Sequence, residues 1–161
     1  MTTTTHPQTT ISADPALPTI HITREFNAPV DAVFHAHVDP DLVSKWLGPR
    51  SVTMRVDRWD ATTGGAYRYV HARGDEEYRF YGSFHEVRAG ERIVQTFTYE
   101  GFPDGVALET LTFEDLGGGR TRLHIVSVFE TTEGRDAAMA SGMETGVVEG
   151  YEQLDDLLAE A

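Results

Sequence analysis

Along most of the chain, apolar and polar residues alternate with a period of two, and this gives way twice to a spacing of three and four. Ile20, Ile22 and Phe26 alternate with polar neighbours and predict a first strand from Thr19 to Phe26. Pro29 then marks a helix start. Val30, Val33, Phe34 and His37 share one side of a short helix from about Pro29 to Val38. Asp39 and Pro40 cap a second short helix whose apolar side is Leu42, Val43, Trp46 and Leu47, and Gly48 with Pro49 ends it.

Six strands are predicted next, at about Val52–Trp59, Ala66–Ala72, Glu77–Val87, Ile93–Tyr99, Ala107–Glu114 and Thr121–Phe129. Between them fall Gly64–Gly65, Arg73–Asp75, Ala89–Gly90, Gly101–Gly105 and Gly117–Gly119, the turn chemistry that antiparallel connections require. After Thr131 the helical spacing returns. Met139, Met143, Val147, Tyr151, Leu154 and Leu158 predict one long C-terminal helix, and Glu144, Glu149, Glu152, Asp155, Asp156 and Glu160 form its expected solvated face.

Gly142, Gly146 and Gly150 stand one turn apart near the apolar side of that helix, and each costs about 1 kcal/mol of helix propensity relative to Ala. Either they leave room for a ligand or they let the helix backbone pack closely. Ahead of the first strand, residues 1–18 are rich in Thr, Pro and small polar types and read as a disordered leader. The domain is expected over 19–161. A strand, two short helices, six strands and a long helix have one compact solution: an α+β helix-grip fold (β-α-α-β6-α), with a curved antiparallel sheet wrapped around the last helix.

With 161 residues, one core can form without disulfide or metal staples. The absence of cysteine removes thiolate zinc sites, redox motifs and cysteine nucleophiles, and the simplest setting is a reducing cytoplasm. Thirteen Lys and Arg against twenty-six Asp and Glu give a net charge of −13, which opposes binding to nucleic acid or to an anionic membrane. No apolar run approaches a membrane span, and the N-terminus has no signal-peptide pattern.

The segments NAPVDAVFHAHVDPDLVSKWLGP from Asn27, TTGGAYRY from Thr62, YGSFHEV from Tyr81, ERIVQTF from Glu91 and GMETGVVEGYEQLDDLL from Gly142 resemble the START-like (SRPBCC) superfamily. The similarity is to the family of the C-terminal domain of the activator of Hsp90 ATPase, over roughly residues 19–160. It implies the helix-grip fold with a cavity between sheet and long helix. The superfamily includes lipid and polyketide binders, cyclases and co-chaperone domains. Where many relatives carry a Gly-Trp pair in the last helix, this chain has Gly146 and Val147, followed by Gly150 and Tyr151.

Strand alternation puts Tyr67, Tyr69 and His71 on one side, assigned inward together with Phe80, Phe84, Phe97, Leu111 and Phe113; bulges would invert part of that assignment. Aromatic faces and adaptable methionines suit a flat or flexible apolar ligand, and they suit an ordinary core equally. The expected ligand-binding residues are His37, Trp46, Tyr67, Tyr69, His71, Phe80, Phe97, Met139, Met143 and Val147. His37, Tyr67, Tyr69 and His71 are its polar handles. Trp46, Phe102 and Pro103 are expected to gate the mouth.

His35, His37 and Asp39 do not make a metal site, because residues two apart on a helix point in different directions. No HExxH, phosphate loop, EF-hand or GxSxG pattern occurs, so neither a metal nor a cofactor is expected and no catalytic residue is assigned. The leading expectation is a non-catalytic binder of a small hydrophobic or aromatic molecule. Two alternatives stay open: a co-chaperone-like module that meets a chaperone through outer surfaces such as the acidic helix face, and a cyclase-type enzyme using His71 or a tyrosine as acid or base. Self-association into a homodimer through an exposed sheet edge is also compatible with the pattern.

Overall fold

A computed structural model describes residues 2–6 and 8–160, the first five by backbone alone. Nine strands and four helices follow in the order β1 (Thr2–His6), β2 (Thr9–Ala13), β3 (Thr19–Phe26), α1 (Val30–Val38), α2 (Pro40–Trp46), β4 (Thr53–Trp59), β5 (Ala66–Arg73), β6 (Glu76–Arg88), β7 (Arg92–Tyr99), β8 (Ala107–Gly117), β9 (Arg120–Val128), α3 (Thr132–Ala140) and α4 (Met143–Ala159). All neighbouring strands pair antiparallel in one sheet of order β1-β2-β3-β9-β8-β7-β6-β5-β4. The helices lie against its concave face. This is the expected α+β helix-grip fold, with the six-strand meander after the two short helices.

The N-terminal segment departs from the expectation of a disordered leader. Strand β2 pairs with β3 from Thr9↔Arg24 to Ala13↔Ile20, and Ile11 is completely buried. Thr is β-branched and fits a pleated strand, so a threonine-rich stretch of low complexity is also a competent edge strand once a partner exists. Two arginines hold this segment from the other side. Arg24 Nε donates to Thr9 Oγ1 at 3.1 Å, and Arg135 on α3 donates to the carbonyls of Asp14, Leu17 and Thr19 at 2.7, 2.9 and 3.1 Å. Met1 and Pro7, also within the expected leader, lie outside the described residues.

The expected single C-terminal helix is two helices. Thr131 caps α3 by accepting from Gly134 N–H at 2.9 Å, and Gly142, at φ 88°, breaks the chain before α4. That left-handed backbone favours glycine and ends the helical path, although the apolar spacing runs straight through Met139 and Met143. Gly150 has a different role. A Cβ there would stand 3.0 Å from the Trp46 carbonyl oxygen and 3.2 Å from Gly48 N, so α4 crosses the end of α2 backbone to backbone. Close packing, not space for a ligand, explains this glycine.

Asp155 also leaves its expected solvated face. Arg24, only 2 % exposed, forms a two-pronged pair with it, Nη1 to Oδ1 at 2.9 Å and Nη2 to Oδ2 at 2.6 Å, while its guanidinium lies over Phe26. This clamps α4 to the inward side of β3, where a guanidinium without a carboxylate would be costly. Register shifts at Val56/Arg58, Phe84/Glu86 and Asp115/Gly117 are the bulges that alternation cannot foresee. The first places Trp59 against Tyr67, Tyr69 and Phe84.

Candidate functional site

The concave face of β4–β7 is an aromatic wall. Tyr67 stacks on Tyr69 with ring centres 6.0 Å apart, Tyr69 on Phe80 at 5.1 Å, and Phe80 on Phe97 at 5.5 Å. Alternation along each strand aims these rings inward, and antiparallel pairing sets them side by side. Tyr67 and Tyr69 are buried, whereas Phe80 and Phe97 are half-buried. Met139, Met143 and Val147 face the core from α3 and α4 and are half-buried as well.

Tyr67 is fixed by its neighbours. Its hydroxyl donates to the Thr96 carbonyl at 2.6 Å across Gly82, where a Cβ would lie 2.0 Å from that same oxygen. Burial pushes the phenols of Tyr67 and Tyr69 well above the ordinary tyrosine range. They stay neutral at any physiological pH.

Three other expected site residues serve the packing of the helices. Trp46 is buried, donates from Nε1 to the Ala36 carbonyl at 2.9 Å and stacks on Tyr151, so it does not stand at a mouth. His37 lies between Trp46 and Phe113, donating from Nδ1 to the Val33 carbonyl at 2.8 Å and leaving Nε2 buried without a partner among the described residues. Desolvation holds its pKa down to about 4. His71 Nε2 donates to the Leu47 carbonyl at 3.1 Å, its ring lies beneath Gly48, and its pKa is likewise lowered by burial. Phe102 and Pro103 are exposed in the β7–β8 connection.

A polar cluster not anticipated from the sequence lies on the same face. Glu109 on β8 accepts from Gln95 Nε2 on β7 at 3.0 Å through Oε1, and from Ser127 Oγ on β9 at 3.3 Å through Oε2. All three project inward, since they share phase with Leu111, with Ile93 and Phe97, and with Leu123 and Ile125. Glu109 and Gln95 are half-buried and Ser127 is buried. Desolvation raises the Glu109 pKa above the ordinary carboxylate value, against the two hydrogen bonds, and no positive charge among the described residues counters it. The signal for Glu109 was present in the sequence: it lies two residues before Leu111, on the phase that aims Leu111 and Phe113 inward.

Two surface depressions lie elsewhere. One is lined by Lys45, Arg50, Gln153, Asp156, Leu157 and Glu160, the other by Glu144, Thr145, Val148, Glu149 and Glu152; both are open to solvent on the outer side of α4. Neither contains an expected site residue. Among the described residues no three His, Asp or Glu side chains gather as a metal site would need, and no helix is long and apolar enough to cross a membrane.

A curved antiparallel sheet closed by helices, with aromatic rings and the Glu109 carboxylate on its concave face, defines a START-like helix-grip domain. Residues 27–159 match the family described as "Activator of Hsp90 ATPase homolog 1-like protein", and the chain belongs to that family. Among solved structures it is similar to a protein from Arthrobacter aurescens (28 % identity, TM-score 0.85, covering 94 % of this chain and 91 % of that one). A protein from Chromobacterium violaceum is 30 % identical with a TM-score of 0.75, covering 87 % of this chain and 96 % of that one. Protein Ms6760 from Mycobacterium smegmatis is 26 % identical, with a TM-score of 0.83 and coverage of 98 % and 97 %. No curated protein matches the chain.

Proposed function

We propose that the protein binds a small hydrophobic or aromatic molecule between the concave face of β5–β8 and the α3–α4 corner. The observation that carries this reading is incomplete burial at the centre of the grip. Strands β7 and β8 are interior strands, yet Gln95, Phe97 and Glu109 on their helix-facing side keep solvent access, while Ile93, Leu111 and Phe113 on the same faces are buried. Phe80, Met139, Met143 and Val147, which pack against the same core, are also only half-buried. Such a partly wet apolar surface with few polar groups is what a small-molecule site offers.

The ligand-contacting set narrows accordingly to Tyr69, Phe80, Phe97, Met139, Met143 and Val147. His37, Trp46 and His71 support the helices behind it. A cyclase would need an acid or base from His71 or a tyrosine, but burial makes the phenol a much weaker acid and the imidazole a weaker base, and His71 Nε2 is committed to a backbone carbonyl. The outer acidic face has less support as a chaperone-binding surface, because Glu149 accepts from Arg50 N–H and Asp155 is tied to Arg24.

Titration with N-phenyl-1-naphthylamine, a neutral fluorescent probe, tests the reading. Saturable binding is expected, weakened at least about tenfold by Phe97→Ala or Val147→Glu. Affinity unchanged by both substitutions in folded protein would refute this location.

A further inference from the structure

The geometry points to a more specific ligand: a positively charged amine carried on the apolar body, with Glu109 as its counter-ion. This rests on the ligand-binding reading above and adds the chemistry of the head group. Glu109 sits on the concave face with neutral donors only, Gln95 and Ser127, one to each oxygen. A carboxylate can accept further hydrogen bonds, and an ionised one in a half-dry site gains most from a cation.

Among the described residues, no side chain supplies that cation. Inward from β3, Arg24 is taken by Asp155 through both terminal nitrogens. From α3, Arg135 is spent on three backbone carbonyls and Asp136. From β5 and α1, His71 and His37 are held neutral by burial. The remaining titratable groups on this face are phenols: Tyr67 bonds to Thr96, while the Tyr69 and Tyr151 hydroxyls donate to no group among the described residues. Both feel the Glu109 charge, which places them within its field.

Next to the carboxylate, the half-buried ring of Phe97 continues into Phe80 and Tyr69. Aromatic faces stabilise a nearby ammonium as well as an apolar body, and a net charge of −13 enriches cations around the molecule. An anionic ligand would instead meet Glu109 with nothing to offset the repulsion. The requirement is therefore directional: one positive charge, one flat apolar group.

Three probes of equal ring size separate the possibilities: 1-naphthylmethylamine, 1-naphthalenemethanol and 1-naphthoic acid, titrated against the full chain at about pH 7.5, where the amine is protonated and the acid is not. The amine is expected to bind at least about tenfold more tightly than the alcohol, and the acid more weakly than either. Glu109→Gln, which keeps both hydrogen-bonding neighbours in reach, should erase the preference and bring the amine to the affinity of the alcohol. In the unaltered protein the preference should shrink as pH falls towards about 4.5, because Glu109 protonates above that value while the amine stays charged. That profile needs no variant.

If the naphthyl compounds bind without charge preference, or if the preference persists in folded Glu109→Gln, the assignment of Glu109 is overturned and the ligand-binding reading stands. If no compound of the three binds, the ligand-binding reading fails and this inference with it.

Discussion

Acid should unfold this protein partly through His37, and the size of the effect follows from its surroundings. The imidazole is enclosed by Trp46, Phe113 and Tyr151, with Nδ1–H on the Val33 carbonyl and Nε2 without a hydrogen-bond partner among the described residues. Its pKa falls from 6.5 to about 4. In the unfolded chain the ring takes its proton near 6.5, while in the fold it resists until about 4. Stability from this group is therefore complete above 6.5 and is lost progressively as pH falls through that window. A difference of that size corresponds to about 3 kcal/mol, a substantial part of the stability of a domain this size.

His37→Phe keeps a ring in the same cage and removes the titration. It forgoes one hydrogen bond and also removes the unpartnered nitrogen, so the change at neutral pH should stay within about 1 kcal/mol. Urea unfolding of both proteins from about pH 7 to pH 4 would measure the gap between them. The gap should move by about 3 kcal/mol in favour of the phenylalanine protein at the acid end. His71, whose pKa is also depressed, adds to the acid loss, and Glu109, whose pKa is raised, acts in the opposite sense. Both contribute alike to the two proteins and cancel in the difference. A gap constant across the window to within about 0.5 kcal/mol would refute the assignment of the acid loss to His37.

Gly150→Ala should destabilise by about 1–3 kcal/mol in chemical unfolding, although alanine favours helix, because its Cβ meets the backbone of Trp46 and Gly48; a neutral or stabilising result would show that α4 can shift away. Asp155→Asn should cost about 2–3 kcal/mol by leaving the buried Arg24 guanidinium without its carboxylate, and an unchanged midpoint of denaturation would contradict the clamp. Ile11→Ala should cost about 2–4 kcal/mol if β2 is part of the folded sheet, whereas a loose leader would register almost nothing.

Much of the architecture was readable from pattern. The six strands from β4 to β9 fall within a few residues of the alternating segments, because half-buried strands must alternate and turns must carry glycine or small polar residues. The inward phase of Tyr67, Tyr69, Phe80 and Phe97 was readable for the same reason. Asp39, capping α2 by accepting from Asp41 N–H at 2.9 Å, was legible as a local signal. Local chemistry of this kind depends only on neighbours in the chain and is legible before the fold is known.

The tertiary structure decided everything that depends on which distant groups meet. Thr9–Ala13 becomes a strand because β3 offers an edge and Arg24 reaches Thr9. One helix becomes two because Gly142 takes a left-handed backbone, which composition permits but does not dictate. Asp155 leaves the solvated face because a buried guanidinium waits across the sheet. Trp46, His37 and His71, expected as ligand-binding residues, are bonded to nearby carbonyls of the helical layer. Glu109 gains its place only when β7, β8 and β9 lie side by side and bring Gln95 and Ser127 to its two oxygens. Periodicity tells which face a side chain takes; the partner it finds there, and hence its charge state and its use, is set by residues tens of positions away.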